Sequence, residues 1–74
     1  MEHRFKDKDK DFSGACLIKA DMRGKDLTGA NFYDANLHGA DFSHAHLKGA
    51  NFIGANVQNA IFYHADLTDT LLER

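Results

Sequence analysis

An all-β solenoid is the fold class this sequence predicts, wound with one turn every five residues. Three observations predict it. Large apolar residues stand at Phe12, Leu17, Met22, Leu27, Phe32, Leu37, Phe42, Leu47, Phe52, Val57, Phe62, Leu67 and Leu72, thirteen consecutive positions of one register. With roughly 45% apolar usage, chance gives such a run at a frequency on the order of 10⁻⁵. Two residues before each of these centres, alanine fills ten of the thirteen positions, from Ala15 to Ala65. Asp or Asn precedes most centres directly, and glycine is commonest two residues after, at Gly14, Gly24, Gly29, Gly39, Gly49 and Gly54.

A period of five fits neither a helix at 3.6 nor a plain strand at 2. A helix would spread the centres around its whole circumference. Each repeat therefore holds a short extended piece and a turn. In the extended piece the centre and the alanine two before it point the same way. Gly, Asn and Asp at the flanking positions suit the turn. Alanine is small because it shares a crowded interior with a bulky neighbour.

The segments Ala30-Asn31-Phe32, Ala35-Asn36-Leu37, Ala40-Asp41-Phe42, Ala50-Asn51-Phe52 and Ala65-Asp66-Leu67 resemble the pentapeptide-repeat family. The resemblance runs unbroken from Lys10 to Arg74. It implies a right-handed quadrilateral β-helix with four repeats per coil, and thirteen repeats make slightly over three coils. At ~4.8 Å between neighbouring strands, the stack stands about 15 Å tall.

Four repeats per coil place residues twenty apart in columns. Phe12, Phe32, Phe52 and Leu72 then define a first face, and Leu17, Leu37 and Val57 a second. Met22, Phe42 and Phe62 define a third, and Leu27, Leu47 and Leu67 a fourth. Phenylalanine thus falls on two opposite faces and aliphatic residues on the other two. A winding of three or five repeats would scramble this order. Asn31 over Asn51 and Asn36 over Asn56 are expected to form short amide ladders.

Departures from the repeat lie toward the ends. Lys10 and Lys25 replace alanine early and Thr70 replaces it late, as solenoid ends require polar caps. Residues 1–9 fall outside the register and read as a charged N-terminal arm or cap, with Phe5 placed to cover the first phenylalanine layer. Residues 10–74 form the repeat domain. A charged arm directly after Met1 suits a complete small chain. Leu71 and Leu72 are followed only by Glu73 and Arg74, so the C-terminal coil is expected to offer apolar side chains and strand edges for end-to-end homodimerisation.

Composition narrows the function. Cys16 is the single cysteine, which rules out an intrachain disulfide and a Cys-x-x-Cys zinc pattern. It stands at an Asp/Asn position and is expected outward. No apolar run suggests a membrane span or a signal peptide, so the expected compartment is the cytoplasm. A net charge of −2 is too weak to point to nucleic acid.

No residue set suggests catalysis or a cofactor. Asp21 and Asp41 stack on a convex face rather than in a cleft. Ser13 and Ser43 lack a nucleophile motif, and the glycines follow the repeat rather than a phosphate loop. His44 over His64 is a candidate metal pair that lacks a third converging ligand. His46 between Asp26 and Asp66 reads as a surface ladder. The outward apolar residues carry more information. Tyr33 and Ile53 stack on one face, with Ile61 and Tyr63 on the opposite face. Together with Leu71 and Leu72 they form the candidate interaction surface.

The expected function is a non-enzymatic structural or interaction module for a protein partner. The resemblance implies an alternative, because some family members resemble B-DNA in shape and charge and inhibit DNA gyrase. Two features oppose it here. Three coils match only about four to five base pairs at 3.4 Å each. Residues 11–74 hold eight acidic and five basic residues, which is a mild excess.

Overall fold

A computed structural model describes residues 10–72. The proposed N-terminal cap, including Phe5, lies outside the described residues, as do Glu73 and Arg74. Parallel bridges link Asp11 to Asn31, Asn31 to Asn51 and Asn51 to Leu71. The same twenty-residue step joins Cys16, Asn36 and Asn56; Asp21, Asp41 and Ile61; and Asp26, His46 and Asp66. The chain is a right-handed β-helix, and the twenty-residue step gives it a square section with four repeats per coil. Its coils run over residues 10–29, 30–49 and 50–69, and a fourth begins at 70.

Each face contributes one bridged residue per coil, held by a fixed set of hydrogen bonds. On the first face, the N–H of Phe12 donates to the Asn31 carbonyl at 2.7 Å, that of Asn31 to Lys10 at 2.9 Å, and that of Gly14 to Tyr33 at 2.8 Å. The pattern repeats around the coil because the sequence repeats. The centre's carbonyl also accepts from the N–H three residues on, as in Ala35 to Phe32 at 3.0 Å and Ala40 to Leu37 at 2.9 Å. The residue before that donor has positive φ at every corner, from 57° at His64 to 76° at Gly54. A bonded four-residue turn with positive φ at its third residue is the type II pattern.

Six glycines and six other residues occupy these corners. Asp34, His44, Asn59, His64 and Asp69 belong to types that tolerate the left-handed region. Lys19, with φ 60°, does not. A left-handed residue with a Cβ costs roughly 1–2 kcal/mol, and glycine's greater freedom in the unfolded chain returns part of that. Lys19→Gly is therefore expected to stabilise the protein by about 0.5–1 kcal/mol, read as a higher urea midpoint. A lower midpoint would show that the Lys19 side chain contributes more than its backbone loses.

The interior is filled by the centres and alanines. Phe32, Phe42, Leu37 and Leu47 are fully buried, as are Ala30, Ala40 and Ala50. Phe12, Phe32 and Phe52 stack with centroids 5.1 and 5.0 Å apart, and Phe42 stacks on Phe62 at 5.2 Å. The two stacks meet inside the coil. Phe42 stands edge-on to Phe32 at 5.5 Å and 83°, and to Phe52 at 6.0 Å and 89°. Positive ring edges thus meet negative faces, the favoured arrangement between stacks. No buried polar side chain occurs among the described residues. At the N-terminal edge, Lys10 Nζ donates to the Thr28 carbonyl at 3.1 Å, which explains a lysine where alanine is the rule.

Candidate interaction surface

Since the interior is closed, any function must lie on the outward positions. These are the residue before the centre and the residue after it on each face, and the positive-φ residue at each corner. Where the first is Asp or Asn, its side chain closes onto its own repeat. Asp41 Oδ1 accepts from the Ser43 N–H at 2.9 Å and the Ser43 hydroxyl at 2.6 Å. Asp11 with Ser13, Asp26 with Thr28 and Asp66 with Thr68 repeat this arrangement. Asn31, Asn36, Asn51 and Asn56 accept the same backbone N–H. The 36–56 column also closes an amide ladder, Asn56 Nδ2 donating to Asn36 Oδ1 at 3.3 Å. In the 31–51 column the oxygens accept the N–H groups of Tyr33 and Ile53, and no ladder bond joins the two amides.

These bonds govern the acid behaviour. The hydroxyl of the residue two on, and then its N–H, hold the carboxyls of Asp11, Asp26, Asp41 and Asp66 below their ordinary value. Asp21 is held lower still by the Arg23 guanidinium, which donates from Nε at 2.8 Å and Nη2 at 3.0 Å. Each carboxyl binds its proton more weakly folded than unfolded. Its contribution to stability is complete above the unfolded value of 3.8 and is lost as pH falls through the folded value. The melting temperature should therefore stay level from pH 7 to about 5 and fall below about 4. The quadruple variant Asp11→Asn, Asp26→Asn, Asp41→Asn, Asp66→Asn keeps the acceptors and removes four titrating groups, so its acid loss should be shallower. An unchanged acid limb would place the sensitivity elsewhere.

The candidate residues divide among three places. Tyr33 and Ile53 are neighbours on the first face, joined through the Asp34 N–H to Ile53 carbonyl bond at 3.0 Å. Tyr33 is exposed and Ile53 half-buried. Leu71, bridged to Asn51, lies on the same face in the neighbouring Asn31–Asn51 column and is 50% exposed. Ile61 and Tyr63 lie on the third face, with Tyr63 at 64% exposure. Leu72 stands at an inward position but is 67% exposed. The structure therefore brings together Tyr33 and Ile53, places Leu71 on the same face in the neighbouring column, and leaves Ile61 and Tyr63 apart from them.

Two exposed apolar residues were not anticipated. Ile18, on the second face, is outward by the same rule that selects Tyr33. Leu67 is a centre, yet it is 42% exposed, with no described residue twenty positions later above it. Cys16 is exposed, at the outward position its register predicts. His46 lies between Asp26 and Asp66 in its column, and both carboxylates turn to their own threonines. Among the described residues no three His, Cys, Asp or Glu side chains gather around one point. No helix there is long and apolar enough to cross a membrane.

Comparison with known proteins agrees with this geometry. A family model for pentapeptide repeats, eight copies, matches residues 11–43 and 35–74. A pentapeptide repeat protein from the cyanobacterium Cyanothece 51142 superposes with a TM-score of 0.80 at 31% identity, covering 85% of this chain and 44% of that one. One from the thylakoid lumen of Arabidopsis thaliana gives 0.67 at 39% identity, covering 86% and 51%. The chain thus spans about half the length of these similar structures. No curated protein sequence matches it.

Proposed function

The chain belongs to the pentapeptide-repeat family, and from that premise we propose that it is a non-enzymatic module that presents a flat β face to a protein partner. One observation carries this reading: Tyr33 and Ile53 stand next to each other on the outside of adjacent coils, and Leu71 is exposed on the same face. Outward side chains in a solenoid gain no interior packing, so adjacent apolar ones suit a contact. The carboxylates argue against acid–base work. Asp11, Asp21, Asp26, Asp41 and Asp66 all titrate further from neutral pH than usual, whereas a general acid needs a value near the working pH. The reading places the chain in the cytoplasm, where an exposed thiol such as Cys16 stays reduced.

The test is affinity capture from a lysate, with the wild type and the Tyr33→Ser/Ile53→Ser variant as baits. A partner retained by the first and lost by the second supports the reading. A topoisomerase subunit held equally by both would favour a DNA-mimic role instead. Equal recovery of every partner by both baits would remove this pair from the account.

Self-association through the C-terminal end is a second reading, favoured by the exposure of Leu67, Leu71 and Leu72 together. It predicts a dimer mass in solution that Leu72→Asp reduces to the monomer. A monomer mass for the wild type would end it.

A further inference from the structure

We propose that His44 and His64 form a two-imidazole site for a first-row divalent ion, with water completing the coordination shell. Both residues lie at the corner that leaves the third face, one coil apart. Both have positive φ, 62° and 57°, so their Cα–Cβ bonds leave the turn in the same direction. The His44 N–H donates to the Tyr63 carbonyl at 2.8 Å, which fixes one coil against the next at this point. Gly24 occupies the same corner one coil below, so no third side chain fills the column there.

The ring spacing suits chelation. The imidazole centroids are 5.3 Å apart, with planes inclined by 14°. With metal–nitrogen bonds of about 2.0–2.1 Å, each centroid lies about 3.2 Å from a shared ion, and a tetrahedral angle sets the two about 5.2 Å apart. The separation of the two rings thus matches that of a shared ion, and the side chains must turn from face-to-face to convergent nitrogens to bind it. Both histidines are exposed, so that rotation is unobstructed on the solvent side. Tyr63 stands edge-on to His64 at 4.2 Å and to His44 at 5.6 Å and walls one side of the site.

The ligand count sets the character of the site. With two protein ligands and open positions, it is an exchangeable site rather than a closed structural one. Imidazole suits zinc, nickel and copper, and copper gains most from a given nitrogen set. A bound ion would tie the second coil to the third.

The test uses the full-length, untagged chain with His3→Ala in every sample, because a histidine third from the amino terminus is itself a copper and nickel ligand. Zn²⁺ is titrated by calorimetry, and Cu²⁺ is followed by the nitrogen hyperfine pattern of its electron spin resonance. One ion per chain, two coordinated nitrogens and a higher melting temperature with metal are expected. His64→Ala and His44→Gly should each weaken binding at least tenfold, the latter while relieving a left-handed corner and keeping the fold. His38→Ala and His46→Ala should bind like the parent. Equal affinity in His44→Gly and the parent, or no bound ion in the parent, would overturn the proposal.

Discussion

Phe32→Ala is expected to remove about 3–5 kcal/mol of stability, the usual range for deleting a buried phenylalanine. For 74 residues the total available is about 4–11 kcal/mol, so the variant loses a large share of it and should unfold at a much lower urea concentration. The geometry places this substitution at the centre of the stack. The Phe32 ring is fully buried, lies between Phe12 and Phe52, and meets the edge of Phe42. Its loss weakens both coil interfaces at once, and in a solenoid each coil depends on its neighbours. Phe12→Ala makes the contrast, since Phe12 is half-buried and, among the described residues, stacks on Phe32 alone. Its loss should be at most half as large. Chemical denaturation of the pair measures both, and equal losses would mean that the coils do not share one continuous core.

Ala40→Leu should be nearly as damaging for the opposite reason. Ala40 is fully buried beside the bulky centres. Its N–H is bonded to the Leu37 carbonyl at 2.9 Å, and its own carbonyl accepts from Ile61 at 2.9 Å. The backbone is thus held within its repeat and by the coil above. Overpacking a core costs typically 1–3 kcal/mol, and a site pinned on two sides belongs at the upper end, about 3 kcal/mol. Ala60→Leu enlarges the matching residue of the next coil, which is half-buried, and should cost about 1 kcal/mol. If Ala40→Leu cost no more than Ala60→Leu, the narrow interior inferred from the alanine column would be wrong.

Most of the fold is legible in the sequence because one rule governs every repeat. The thirteen centres, the alanines two before them and the phenylalanine columns of the first and third faces predict the twenty-residue bridges that the structure contains. Three features required coordinates. The edge-on meeting of Phe42 with Phe32 and Phe52 depends on ring torsions that spacing does not encode. The Asp and Asn side chains turn back to the residue two on, and an amide ladder bond joins only Asn36 and Asn56. Lys19 reads as an ordinary surface lysine until its positive φ is seen.

The surface is less legible than the core. Inward positions obey packing, so their residue types repeat. Outward positions obey only solubility and contact, and their residue types vary. The register places Tyr33 and Ile53 in one column and Leu71 on the same face beside it, but carries no information on what binds there. Ile18 illustrates the difficulty, since it satisfies the outward rule and stands alone on the second face.

Hydrogen exchange on the chain bound to a captured partner, compared with the free chain, tests the central claim most directly. The account predicts that binding slows exchange around residues 31–34 and 51–54, two segments twenty residues apart, and leaves 41–44 and 61–64 unchanged. Slowed exchange on the third face, around Ile61 and Tyr63, with none around Tyr33 and Ile53, would contradict it.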